Sequence, residues 1–172
     1  MTESSSLENK HWYALYLKPR QEFKALSQLE EINIEVYLPT VVVTRQWSDR
    51  KKKITEPLFR GYIFIHVDER GRMYSLQQDA VVRTVCFNGK PAAIPDWEIE
   101  NLRILMKESP DVFVIDKIEI GTKVKIVGGP FTDVVGIVTG SQENKWLAVS
   151  IDLLNRSVMV RLSNDSVVKE HS

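Results

Sequence analysis

The 172-residue sequence has one cysteine, Cys86. No internal disulfide can form, which suits a reducing compartment. Cys86 lies in the mostly apolar run Val81–Phe87 and is expected to be a buried packing residue. The three histidines, His11, His66 and His171, are scattered. None has a partner at a spacing that makes a metal site or a nucleophile–base pair. His66 sits within an apolar strand pattern and reads as structural. Gly128-Gly129-Pro130 lacks the Lys-Ser/Thr that would turn a glycine-rich loop into a phosphate cradle. Catalysis, metal and cofactor are therefore not expected. Long apolar runs are missing too: Trp12 to Leu17, six residues, is the longest uncharged one, against roughly 20 needed to cross a bilayer. No membrane span is expected. The first residues are polar and acidic, without the basic and apolar regions of a signal peptide. Residues 1–10 are expected to be a disordered tail, and the location cytoplasmic.

What is present is the composition of a globular protein, 43% hydrophobic and 27% charged. Formal net charge is zero, which argues against wholesale coating of nucleic acid. Charge is nevertheless sorted by region. Six basic and two acidic residues lie between Arg45 and Arg60, and seven acidic and three basic between Asp96 and Glu119. A local basic contact surface is compatible with this pattern.

Trp12 to Leu17 is apolar without alternation, as in a strand covered on both faces. Phe23, Leu26 and Leu29 recur at helical spacing over 20–31. Residues 34–38 and 41–43 read as strand broken at Pro39, followed by a polar hairpin tip with Ser48-Asp49 as its turn. Gly61 to Val67 reads as a buried strand, 72–78 as a short helix, and 81–87 as a strand ending at the Asn88-Gly89 turn signal. A helix opens at Asp96, carries Leu102, Leu105 and Met106 on its apolar face, and should stop before Ser109-Pro110. This order predicts an α+β domain over 11–107. An acidic linker is expected over 108–119. From 120 to 172, five short strand patterns (123–127, 134–139, 146–151, 157–162, 166–169) are separated by turn residues and predict a small β-barrel.

The most specific segment is Val124 to Val138, where two strands flank Gly129-Pro130-Phe131 and Gly136 lies inside the second strand. Glycine there marks a bulge or a close backbone approach. The spacing resembles the KOW motif. In the N-terminal half, Trp12 to Tyr16, Glu56 to Ile65, Gly89-Lys90-Pro91 and Ile94-Pro95 resemble the NGN domain of NusG-like transcription elongation factors. The joint resemblance runs from about Trp12 to Lys169. Ala80 departs from it where glycine is usual, as does Arg60 where proline is common. Near Gly71-Arg72-Met73 nothing matches the segment by which RfaH touches the second polymerase subunit. The basic segment Arg45–Lys53 is similar to that of the specialised UpxY paralogues that act on capsular polysaccharide operons.

The resemblance implies an antiparallel NGN sheet flanked by helices, then an SH3-like KOW barrel, with no catalytic activity. It implies that NGN aromatics bind the clamp helices of the RNA polymerase largest subunit: Phe59, Tyr62 and Phe64, with Trp12 and Tyr16. It also places Lys18, Arg20, Gln21 and Lys24 towards non-template DNA, Gln21 as a base reader. Arg45, Arg50, Lys51, Lys52 and Lys53 would face upstream DNA. The KOW domain would recruit Rho or the ribosomal protein NusE, and a monomer is expected. In RfaH this domain also folds as a helical hairpin. Here β-branched Val134, Val135, Ile137, Val138, Val158 and Val160 disfavour helix, so the barrel is expected. The competing reading is a KOW-type RNA-binding or ribosome-associated module.

Overall fold

The computed structural model describes residues 9–109, 111–141, 143–163 and 166–171. Most of the expected tail, and part of the turn at 163–165, lie outside these residues. The chain divides into two units, Met1–Asp96 and Trp97–Ser172.

The first unit runs β1 (His11–Leu17), α1 (Glu22–Glu31), β2 (Glu35–Tyr37), β3 (Thr40–Gln46), β4 (Lys51–Pro57), β5 (Tyr62–Val67), α2 (Glu69–Ser75), β6 (Val81–Thr84), β7 (Cys86–Phe87) and β8 (Lys90–Pro91). Its main sheet is antiparallel in the order β2-β5-β1-β6. Strand period two splits β1 and β5 between two faces. Leu15, Leu17, Ile63, Ile65 and Val67 point to one, where Ala25 and Leu29 of α1 cover them. The buried row of α1 is Ala25 and Leu29 with Leu26 beside them. Phe23, assigned to the apolar face from its spacing, is instead 44% exposed.

Helix α2 begins three residues before its expected start. Asp68 sets the beginning, its Oδ1 accepting from the Gly71 N–H at 2.7 Å, a side-chain cap that satisfies one of the orphan donors of the first turn. On the next turn Arg72 is buried yet fully engaged. It donates to both carboxylate oxygens of Glu69 and to Thr84 Oγ1 at 3.0 Å, tying α2 to β6. Strands β3 and β4 pair only with each other among the described residues, in register from Thr40↔Pro57 to Gln46↔Lys51.

The second unit contains most of α3 (Asp96–Glu108), then β9 (Phe113–Asp116), β10 (Thr122–Gly128), β11 (Val135–Gly140), β12 (Lys145–Ile151), β13 (Arg156–Arg161) and β14 (Val167–Glu170). The strands form one antiparallel sheet, β14-β10-β11-β12-β13-β9. Val124, Ile126, Phe131, Leu147, Val149, Val158 and Val160 are buried in it. The five expected strands are present, each within a residue or two of its expected bounds.

Three expectations need correction. Residues 108–119 are not simply a linker: β9 falls inside them and pairs with β13 from Val158↔Val114 to Arg156↔Asp116. Helix α3, expected within 11–107, belongs by its contacts to the second unit. Two polar side chains hold it there. The Asn101 amide donates to Val135 O at 3.0 Å and accepts from Val135 N at 3.3 Å, completing the backbone of β11 where a strand neighbour would otherwise sit. Glu98 Oε2 accepts from the Asp152 N–H at 3.4 Å. Finally, Cys86 is exposed, because the two-residue ribbon β7–β8 stands apart from the main sheet.

Candidate functional site

The second face of the N-terminal sheet is aromatic. Residues directly opposite on antiparallel strands share a face, and the register pairs Tyr16↔Tyr62, Ala14↔Phe64 and Trp12↔His66. On the other side of β5 it pairs Tyr37↔Phe64 and Glu35↔His66. Ring contacts follow: Trp12 stacks on His66 at 5.0 Å, Tyr37 on Phe64 at 6.2 Å, and Tyr16 meets Tyr62 at 5.6 Å. Phe59, from the loop before β5, meets Phe64 edge-on at 5.9 Å. All five aromatics singled out in the sequence are thus brought to one side of the sheet.

They are not equivalent there. Phe64 is fully buried, and Trp12 and Phe59 are each 5% exposed. Tyr62 is half-buried and Tyr16 is 37% exposed. The accessible end of the face is therefore the tyrosine pair, extended by Arg83, which lies opposite Tyr16 and 5.5 Å over its ring. Gly61 holds this end in place. Its φ of +83° suits glycine, and its N–H donates to Glu22 Oε1 at 2.9 Å. The first residue of α1 thereby fixes the loop that presents Phe59 and Tyr62. Tyr37, His66 and Arg83 escaped sequence reasoning, since cross-strand register decides their membership. His66 is a satisfied strand histidine, paired through Nδ1 with Glu35 at 2.8 Å.

The first polar set is less open than its sequence suggests. Lys18 and Lys24 both pair with Asp79, at 3.2 and 2.5 Å. Lys24 first and Lys18 second hold the Asp79 carboxyl below its usual range. Arg20 is exposed in the turn before α1. Gln21 Oε1 is buried without a hydrogen-bond partner, so this oxygen is not displayed as a base reader requires.

The second polar set occupies the β3–β4 hairpin. Trp47 N donates to Arg50 O at 2.8 Å and closes the turn at Ser48-Asp49. Arg45 is tied to Glu56 at 2.7 Å. Arg45, with Arg60, holds that carboxyl below its usual range. Lys52 Nζ sits 4.6 Å over the Trp47 ring. Arg50, Lys51 and Lys53 are exposed and make no ion pair among the described residues.

In the second unit, Gly129-Pro130-Phe131 forms the turn between β10 and β11. Thr132 closes it by donating from N and Oγ1 to Gly129 O, and Phe131 is buried. Gly136 faces β12 so closely that a Cβ would lie 2.4 Å from Ala148 O. It also lines a cleft of about 190 Å³ shared by Trp97, Lys117, Lys123, Ile137 and Ser150. Beside the cleft, burial pushes the Glu98 carboxyl up to about 7, with Asp152 adding to the rise.

Among the described residues, no group of three or more His, Cys, Asp or Glu could hold a metal ion, and no helix is long and apolar enough to cross a membrane. Residues 10–103 match the family model described as transcription termination factor nusG. The chain is similar to the transcription termination/antitermination protein NusG of Haemophilus influenzae, 26% identical over 99% of this chain and 100% of that one. It is 28% identical to the protein of that name from Thermus thermophilus, over 92% of this chain and 97% of the relative. A solved structure of Thermotoga maritima NusG covers 91% of the chain and 94% of its own at 22% identity, with a TM-score of 0.47. With more than half of its length matched by that model, the chain belongs to the NusG family.

Proposed function

We propose that the protein is a non-catalytic transcription elongation and antitermination factor whose N-terminal unit, in the role of an NGN domain, binds RNA polymerase. Its tyrosine-ended aromatic face receives the clamp helices of the largest subunit. The hairpin Arg45–Lys53 contacts upstream DNA. The C-terminal unit, as a KOW barrel, recruits Rho or the ribosomal protein NusE, and the protein serves polysaccharide operons. The names of the curated relatives support the general role.

The observation that carries the polymerase reading is the sorting of one aromatic face into a buried centre and an accessible Tyr16–Tyr62 end. Aromatic side chains at a partly wet edge supply large contact area and dominate interface energies. An RNA platform instead requires cations interleaved with its exposed rings. Among the described residues, Arg83 alone stands over a ring of this face, which favours a protein partner.

Tyr62→Ala should weaken retention of core RNA polymerase by the tagged full chain about tenfold or more. The same loss should appear with an isolated clamp-helix fragment. Undiminished binding of that fragment by the variant would remove the basis of this reading.

A further inference from the structure

The basic run Arg50–Lys53 looks uniform in sequence, but the hairpin register divides it. Gln46 faces Lys51, Arg45 faces Lys52 and Thr44 faces Lys53. Because side chains alternate along a strand, Arg45 and Lys52 share one face, while Lys51 and Lys53 occupy the other with Thr44 and Gln46. The Trp47–Arg50 closing pair continues the Arg45/Lys52 face. One face therefore carries an indole and cations, the other cations alone.

Trp47 is 45% exposed at the end of a hairpin that joins no other sheet among the described residues. Lys52 approaches this ring within cation–π distance. That contact orients the indole beside a positive charge and leaves ring surface open to solvent. Arg45, the remaining cation of the face, is taken up by Glu56. Arg50, across the closing pair from Trp47, and Lys52, over its ring, are left to meet phosphates.

We propose that the Trp47–Arg50–Lys52 face of the hairpin binds single-stranded nucleic acid, with Trp47 stacking on an unpaired base and the two cations holding the adjoining phosphates. This rests on the nucleic-acid reading of the hairpin given above and names the class of strand it takes. A duplex presents phosphates but keeps its base faces stacked inside, so it engages cations and not the indole. Stacking on an aromatic ring is tolerant of sequence because every base has a π-face. The opposite face, with Lys51 and Lys53, attracts any phosphate backbone, single or double. The two faces therefore make separable contributions.

The test uses the full chain at low salt with three labelled probes of equal length: oligothymidylate, oligouridylate and a GC-rich duplex. Binding is read by fluorescence polarisation. Trp47→Ala should weaken at least one single-stranded probe about tenfold and change duplex affinity by less than about twofold. Trp47→Phe should restore most of the lost affinity. Lys51→Ala/Lys53→Ala should weaken all probes together. Unchanged single-strand binding by Trp47→Ala, or an equal loss on the duplex, would overturn the proposal while leaving a nucleic-acid-binding hairpin standing. Failure of the unaltered chain to bind any probe would overturn both. Retained thermal stability and polymerase binding of Trp47→Ala separate this surface from the Tyr16–Tyr62 end.

Discussion

Glu98 combines near-complete burial with an ionisable group. The residue is 2% exposed, and its carboxyl accepts from the backbone N–H of Asp152. Removal from water disfavours the charged form, and the neighbouring Asp152 charge acts the same way. The folded protein therefore holds this proton up to about pH 7, whereas the unfolded chain releases it near the ordinary 4.5. Between those values the folded state binds more protons than the unfolded one, so stability falls as pH rises through the window. Glu98→Gln keeps an acceptor oxygen and removes the titration. Thermal unfolding of the full chain should show the wild type losing stability from about pH 4.5 to about pH 7, while the variant shows a flatter profile and a higher Tm at the upper end. Nothing in the sequence pointed to this. Glu98 reads there as a favourable acidic residue in a helix's first turns, and only the packing of α3 on the β10–β14 sheet buries it.

Elements explain why Gly136 matters more than its neighbours in the motif. Strands β11 and β12 pair through Ile137↔Ala148. A methyl group on Gly136 would meet Ala148 O at 2.4 Å and Leu147 Cδ1 at 2.9 Å. Neither the carbonyl nor the fully buried leucine has space to retreat. Gly136→Ala should therefore cost about 1–3 kcal/mol, read as a lowered denaturant midpoint without a change in m. A slope that changes along with the midpoint would mean that two-state unfolding, and not packing alone, has been altered. Glycine inside a strand marked this close approach in the sequence, and the five strands of 120–172 were legible from their turn residues for the same reason. The sixth, β9, was not. Phe113–Asp116 has four residues and no alternation, and only its pairing with β13 makes it a strand.

At the scale of the molecule, the two-part organisation was readable because hydrophobic period changes from mixed helix and strand to strand alone. The placement of α3 was not, since a helix's apolar stripe does not say which neighbour it meets. The aromatic residues of the N-terminal sheet could be picked out in the sequence, but not their shared face or their gradient of exposure, which register and loop geometry impose. Charge behaves similarly. Zero formal net charge removes long-range attraction to a polyanion, so any grip on nucleic acid depends on short-range cations within about a Debye length, ~10 Å at moderate salt. That gives the Lys18–Asp79–Lys24 arrangement a further meaning. Asp79 is an intramolecular counterion: it neutralises two half-exposed ammonium groups in part, so a phosphate approaching either lysine would compete with a carboxylate. If Lys18 and Lys24 meet a nucleic-acid strand, they release fewer ions than free lysines do, and the contact is less sensitive to salt. Asp79→Asn should unmask both lysines, raising affinity for single-stranded and duplex probes alike and steepening the dependence of log K on log salt. A salt titration of the full-length variant that superimposes on the wild type would show that Lys18 and Lys24 do not contact these probes.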